Sequence, residues 1–358
     1  MRVLVTGGAG YVGSVSVERL VRAGHHAVVL DSLVTGHRDA VIPGVRFVRG
    51  TLLDRDALER LLRDEGIEAV LHCAARSLVG QSVAEPALYY AENVAGGIGL
   101  LDAMVATGVR RLVFSSTAAT YGAPESVPIA EDAPLAPINP YGETKRTFEG
   151  AMRWYGEAYG LRGVALRYFN VAGASERNGE QHLPETHLIP NVLLAAQGRV
   201  SLTVFGTDYP TPDGTCVRDY IHVEDLADAH LSALELTGRG SDATGASYAR
   251  TGTGTPAGAS TPGGLTVCNL GSGSGFTVLE VVRAAEAVVG RAIPHMLGPR
   301  RAGDPSALVA SNARARELLG WTPRRGSLPE MIGSAWTWLR AHPLGYADQR
   351  GPSAADPG

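Results

Sequence analysis

Cysteine is scarce in this chain of 358 residues: Cys73, Cys216 and Cys268 are the only three, and none forms a CxxC pair. That argues against a disulfide framework or a structural zinc site, leaving three packed thiols in a reducing compartment and no expected metal. Charge of one sign is scarce too. The 32 Lys and Arg against 36 Asp and Glu leave a formal charge of -4, scattered along the chain, which indicates neither nucleic acid nor an anionic membrane as partner. No stretch reaches the ~20 apolar residues of a membrane span. The N-terminal MRVLVT runs straight into glycines without the apolar region of a signal peptide, so the expectation is a cytoplasmic protein. There is no internal repeat.

What is present is a core-forming composition, 44% hydrophobic, enough for a large α/β domain or for two domains sharing an interface. Short β-branched runs at residues 2–5, 27–30, 46–48, 69–72, 111–115 and 163–167 alternate with helical patterns at about 11–23, 55–65, 87–107 and 141–159. That rhythm predicts right-handed crossovers and a Rossmann-like, doubly wound parallel sheet over residues 1–170. Past Asn170 the rhythm is lost. Residues 171–343 read as a smaller C-terminal α/β substrate lobe, with helices at about 188–197, 223–236 and 278–289, strands at 202–205 and 266–270, and some segments returning to the first domain. Residues 238–264, rich in Gly, Thr, Ser, Ala and Pro, read as a disordered surface insertion, and 344–358 as a mobile tail.

Three glycines, Gly7, Gly10 and Gly13, follow the first strand and open a helix in TGGAGYVG. A pyrophosphate needs backbone N–H groups and a helix N-terminus at close range, and glycine permits that approach. A glycine triplet alone also fits a plain turn, but here the strand, the helix and an acid after the second strand, Asp31, stand in the dinucleotide-binding order. Asp31 suits the ribose hydroxyls of NAD and would repel the 2'-phosphate of NADP; a turn-capping aspartate is the bland alternative.

Tyr141 and Lys145, four apart on one predicted helix, share a face. Neither titrates near neutrality unaided, and a nearby ammonium and a positive nicotinamide both favour phenolate. Ser116 and Thr117, just past a strand at the carboxyl edge of the sheet, offer hydroxyls to the phenol and to a substrate alcohol. A tyrosine and a lysine on a helix surface are common by themselves; the glycine loop upstream gives the pair its meaning.

The segments VTGGAGYVGS, FSSTAATYG, NPYGETK, LRYFNVAGA, PETHLIP, FGTDYPTPDGTCVRDYIHVEDLADAH and PRRAGD resemble the extended short-chain dehydrogenase/reductase family, and within it the 4-epimerases of UDP-sugars. The resemblance covers about residues 1–343 apart from the insertion. It implies tightly bound NAD and a UDP-hexose, UDP-glucose or UDP-galactose, epimerised at C4' through a 4-keto intermediate, and a homodimer joined by a four-helix bundle of the helices near 87–107 and 141–159. Tyr141, Lys145 and Thr117 would be catalytic. Gly7, Gly10, Tyr11, Val12, Gly13, Asp31, Ser32, Thr51, Leu52, Cys73, Ala74, Ala75, Asn93, Ser115, Ser116 and Tyr168 would hold the cofactor with Tyr141 and Lys145. On the substrate side the resemblance places the uracil beside Thr203 and Phe205, the diphosphate against Asn170, Arg218 and Arg301, and the ribose on Asp304, with Phe169, His187, Leu188, Tyr220 and Leu308 completing the pocket beside Thr117 and Tyr141.

Three positions depart from the family's pattern. Thr51 replaces an aspartate that contacts adenine, and Ser77 replaces a lysine that contacts NAD, so two charged cofactor contacts are gone. Leu308 stands where bacterial members carry a tyrosine that excludes N-acetylated sugars. Ala118 and Ala119 follow Thr117, so the Asp-Glu pair of a 4,6-dehydratase is missing. The rival readings are a 4-epimerase of UDP-N-acetylglucosamine, UDP-glucuronate or a secondary-metabolite sugar, and a non-catalytic NAD-binding regulator. The latter should lack Tyr141 or Lys145.

Overall fold

The computed structural model describes residues 1–238, 264–301 and 304–347. Residues 239–263 of the expected insertion and 348–358 of the expected tail lie outside the described residues.

In chain order the strands are β1 (Arg2–Thr6), β2 (His26–Asp31), β3 (Arg46–Arg49), β4 (Ala69–His72), β5 (Arg111–Thr117), β6 (Arg162–Tyr168), β7 (Asn170–Ala172), β8 (Leu202–Phe205) and β9 (Val217–His222). After these come β10 (Leu265–Leu270), β11 (Gly275–Thr277), β12 (His295–Gly298) and β13 (Ala307–Leu308). Seven of them make one parallel sheet in the order β10-β6-β5-β4-β1-β2-β3. Parallel strands covered on both faces must be apolar on both, and β1 and β4 are buried along almost their whole length. Alternate residues of β1 feed opposite layers: Val3 and Val5 pack with Val29, Leu226 and Ala229, whereas Leu4 packs with Leu58, Leu100 and Phe148. The chain winds outward from β1 to β3, then returns across β1 to start β4. A crevice therefore opens at the carboxyl ends of β1 and β4, where such sheets bind ligands.

The smaller sheet is built on β9, which pairs antiparallel with β11 and parallel with both β13 and β7 along successive halves of its length. Helices Leu188–Ala196, Val278–Val289 and Leu328–Ala341 cover it through Val192, Leu193, Val281, Val282, Met331 and Ile332.

Two expectations are corrected. The helix predicted over 87–107 is broken into Pro86–Tyr89, a wide π-turn at Tyr90–Ala95 and Gly96–Thr107. Tyr346, in the segment read as a mobile tail, is buried; it stacks on His37 with ring centroids 4.6 Å apart, and its hydroxyl donates to Asn178 Oδ1.

Candidate functional site

The crevice holds a cavity of about 1100 Å3. Its floor is the turn after β1. Gly7 has φ +71, which only glycine adopts without strain, and a Cβ on Gly13 would collide with the Gly7 carbonyl, so the helix Tyr11–Arg22 is able to start tight against the strand. That helix has Gly10 at its N-cap, no side-chain cap and no acid in its first turn. Its free N–H groups and positive dipole end face the cavity unopposed, the arrangement a diphosphate needs. Asp31 ends β2 as a buried carboxylate, accepting from the Ala9 and Leu33 amides at 2.9 and 2.8 Å. Burial raises its pKa while those two donors pull it back. The residues present thus fit a dinucleotide: a glycine cradle, a free helix terminus and one acid at the end of the second strand.

The helix Pro140–Tyr159 carries Tyr141 and Lys145. Asn139 caps it, its side chain accepting from the Gly142 amide at 2.9 Å, and Pro140 presets its first turn. Lys145 is 4% exposed; its Nζ donates to the Ser115 carbonyl at 2.8 Å and lies 6.0 Å from the Tyr141 ring centroid. Burial pushes the Lys145 ammonium down to about 8. Burial raises the Tyr141 phenol, and a hydrogen bond with Thr117 opposes that rise. Thr117 is the last residue of β5, so the strand itself delivers its hydroxyl to the helix.

Across the cavity Arg218, on β9, forms an ion pair with Asp304 and donates to the Val217 carbonyl, and the Arg301 guanidinium lies 4.2 Å from the centroid of the Phe205 ring. Asp304, expected on a ribose, is engaged here by the arginine expected on the diphosphate.

Of the residues named from sequence, Gly7, Gly10, Tyr11, Val12, Gly13, Asp31, Ser32, Thr51, Leu52, Cys73, Ala74, Ala75, Thr117, Tyr141, Lys145, Tyr168, Phe169, Asn170, His187, Arg218, Arg301, Asp304 and Leu308 line this one cavity, and Ser77 joins them. Seven do not: Asn93, Ser115, Ser116, Leu188, Thr203, Phe205 and Tyr220. Ser116 is the clearest correction. It lies inside β5 rather than past it, fully buried, and its hydroxyl donates to Glu149, which is locked to Arg167 at 2.6 Å. Asn93 stands in the π-turn and ties the Arg76 backbone to Thr144. Ser115 donates to Cys73 Sγ at 3.2 Å, whose thiol burial pushes up to about 11. Tyr220 is buried in the core of the small sheet. The largest group that sequence reasoning missed is the cavity wall formed by Glu180, His182 and Glu185 beside His187. Its signal was the ExHxxExH spacing of these residues, split across the PETHLIP motif.

A model of the NAD dependent epimerase/dehydratase family matches residues 3–243. The chain is 49% identical over 352 residues to a UDP-glucose 4-epimerase of Lactobacillus helveticus, covering 98% of this chain and 100% of that protein. The crystal structure of a UDP-glucose 4-epimerase from Brucella ovis in complex with NAD superimposes with a TM-score of 0.86 at 44% identity, covering 94% of this chain and 98% of that one. That of a UDP-glucose 4-epimerase from Bifidobacterium longum in complex with NAD+ and UDP gives a TM-score of 0.85 at 33% identity over 97% of this chain and 100% of that one.

Proposed function

This chain belongs to the NAD dependent epimerase/dehydratase family, and on that premise we propose that it interconverts UDP-glucose and UDP-galactose at C4' with bound NAD. One observation carries the reading: a single cavity is lined at once by the glycine cradle, by Thr117, Tyr141 and Lys145, and by Arg218, Arg301 and Asp304. A simple dinucleotide site has no use for the second cluster, and a UDP-binding module has no use for the first.

NAD, when bound, supplies the acceptor for the C4' hydride and the donor that returns it. The chain does the rest. Tyr141 takes the proton of the C4' hydroxyl and gives it back after the hydride has been restored on the other face of the 4-ketose. Because burial alone favours the phenol, the Lys145 charge and the Thr117 hydroxyl have the task of favouring phenolate. Arg218 and Arg301 suit the diphosphate, since a guanidinium keeps its charge and offers paired donors to phosphate oxygens. With the diphosphate held, the sugar is free to turn about it and present either face. Residues 1–170 then serve as the cofactor half and 171–343 as the sugar half.

A second reading rests on Leu308, which lines the cavity and packs with Ala118, Tyr121 and Phe169. An aliphatic side chain there leaves room for a UDP-N-acetylhexosamine that a bulky aromatic would exclude. We also propose a homodimer through Gly96–Thr107 and Pro140–Tyr159; Trp154 and Tyr159, 59% and 51% exposed on the latter helix, support it.

The test offers purified protein UDP-galactose, UDP-N-acetylglucosamine and UDP-glucuronate, with and without added NAD, and separates products by chromatography. UDP-glucose from UDP-galactose is the expected product. Failure to turn over any of the three with NAD present sinks the assignment, and turnover of UDP-glucuronate alone would replace the hexose by a uronate.

A further inference from the structure

On the wall of the same cavity, the loop 180–187 folds back so that Glu180, His182, Glu185 and His187 present one ligand atom each within 4.8 Å of one another. Both carboxylates are buried, Glu180 at 7% and Glu185 at 9% side-chain exposure. Two buried carboxylates in one place need about two positive charges, supplied either by two imidazolium ions or by one divalent cation.

Geometry separates the two arrangements. Protonated imidazoles should bring Nδ1–H close against the carboxylates, and His187 Nδ1 stands that close, 2.6 Å from Glu180. His182 does not. Its buried Nδ1 points into the cluster at 3.4 Å from Glu180 and 3.6 Å from Glu185 without forming a hydrogen bond to either, and among the described residues it is the only buried side-chain polar atom left so. The His187 Nδ1 to Glu185 separation is 3.4 Å. Ligands about 2.0–2.1 Å from a tetrahedral ion stand about 3.4 Å from one another, so the two His182 spacings, to Glu180 Oε1 and Glu185 Oε2, are close to those of a coordination shell.

We propose that Glu180, His182, Glu185 and His187 bind one divalent transition-metal ion of the zinc type through two Nδ1 and two carboxylate oxygens. The donor set is mixed N and O without thiolate, which favours Zn2+ and its neighbours over Mg2+ or Ca2+, whose preference is for oxygen alone. All four positions come from protein, as in a structural rather than a catalytic site. The ion fixes the segment 180–187, and with it Pro184 and Thr186, as one wall of the cavity.

The test uses full-length protein without a histidine tag, dialysed against a chelator and titrated with ZnCl2 in competition with a coloured chelator, with CoCl2 as a spectroscopic probe. One equivalent of zinc uptake and visible bands of tetrahedral Co2+ are expected, unchanged by excess Mg2+. His182→Ala and Glu180→Gln should each lower zinc affinity about 10-fold or more and remove the cobalt bands, with circular dichroism verifying that the variants remain folded. The cobalt spectrum of the unmutated protein stands whether or not a variant folds. Absence of stoichiometric uptake by the unmutated protein overturns the site, and so does uptake that both folded variants retain undiminished.

Discussion

At the scale of single residues the molecule sets a problem that its partners must solve. Tyr141 is buried and its phenol is raised, yet it is the group proposed to move a proton. Lys145, itself desolvated, keeps its charge only below about pH 8. Replacing Tyr141 by Phe removes the hydroxyl and little else, so kcat should fall about 10²–10⁴-fold while NAD stays bound, as measured by turnover and by cofactor content after gel filtration. Retained turnover would remove Tyr141 from the proton path. The buried Lys145 ammonium also leaves a thermodynamic trace. Its folded pKa of about 8 lies below the ~10.4 of an unfolded lysine, so the unfolded chain binds more protons between those values and stability rises with pH there. In cofactor-free protein, Lys145→Met should therefore be most favourable relative to wild type below pH 8, and that advantage should shrink by about 3 kcal/mol as pH rises to ~10.4. Urea unfolding at pH 7 and near pH 10 measures the change; a difference independent of pH would contradict the buried charge.

At the scale of elements, the proposed catalytic face exists because a helix starts in the right place. Asn139 caps Pro140–Tyr159 two residues before Tyr141, so Asn139→Ala should cost about 1 kcal/mol in thermal or urea unfolding and lower kcat while sparing cofactor retention. An unaltered kcat would show that the tyrosine is positioned without the cap. This helix and the strands β1 to β6 were legible because each carries a strong period or a cap signal of its own: the apolar run of β1, the Asn-Pro start, the Gly160 stop. Elements that depend on neighbours were not. β9 reads VRDYIH, polar and apolar mixed, because Asp219 is buried to receive the amides of Ser272, Gly273 and Ala310. The break at Tyr90–Ala95 hid inside an unbroken helical pattern, since the π-turn serves to bring Asn93 under the Arg76 backbone, a contact that no local period reports. Likewise Ser116 looked like a site hydroxyl by adjacency, but the pleat turns it away from Thr117 and into the Glu149–Arg167 pair. The Glu180–His187 wall escaped notice because a loop, not a period, gathers it.

At the scale of the whole molecule, the winding order of the sheet places the glycine turn after β1 and the Thr117 end of β5 beside one crevice, and the small sheet on β9 closes that crevice with Arg218 and Leu308. No described helix is long and apolar enough to cross a membrane. The exposed Trp154 and Tyr159 predict association: sedimentation equilibrium should give twice the monomer mass, and Trp154→Glu should shift it toward monomer, whereas a monomer at all concentrations would overturn the proposed dimer. In the proposed reaction the hydrogen taken from C4' returns to the same carbon, with no net oxidation. UDP-galactose carrying deuterium at C4', converted by the purified protein in ordinary water, tests this directly by mass spectrometry and NMR of the product. Direct return of the hydride gives UDP-glucose with the deuterium still at C4'; UDP-glucose that has lost the label to solvent, or accumulation of an oxidised sugar, rules it out.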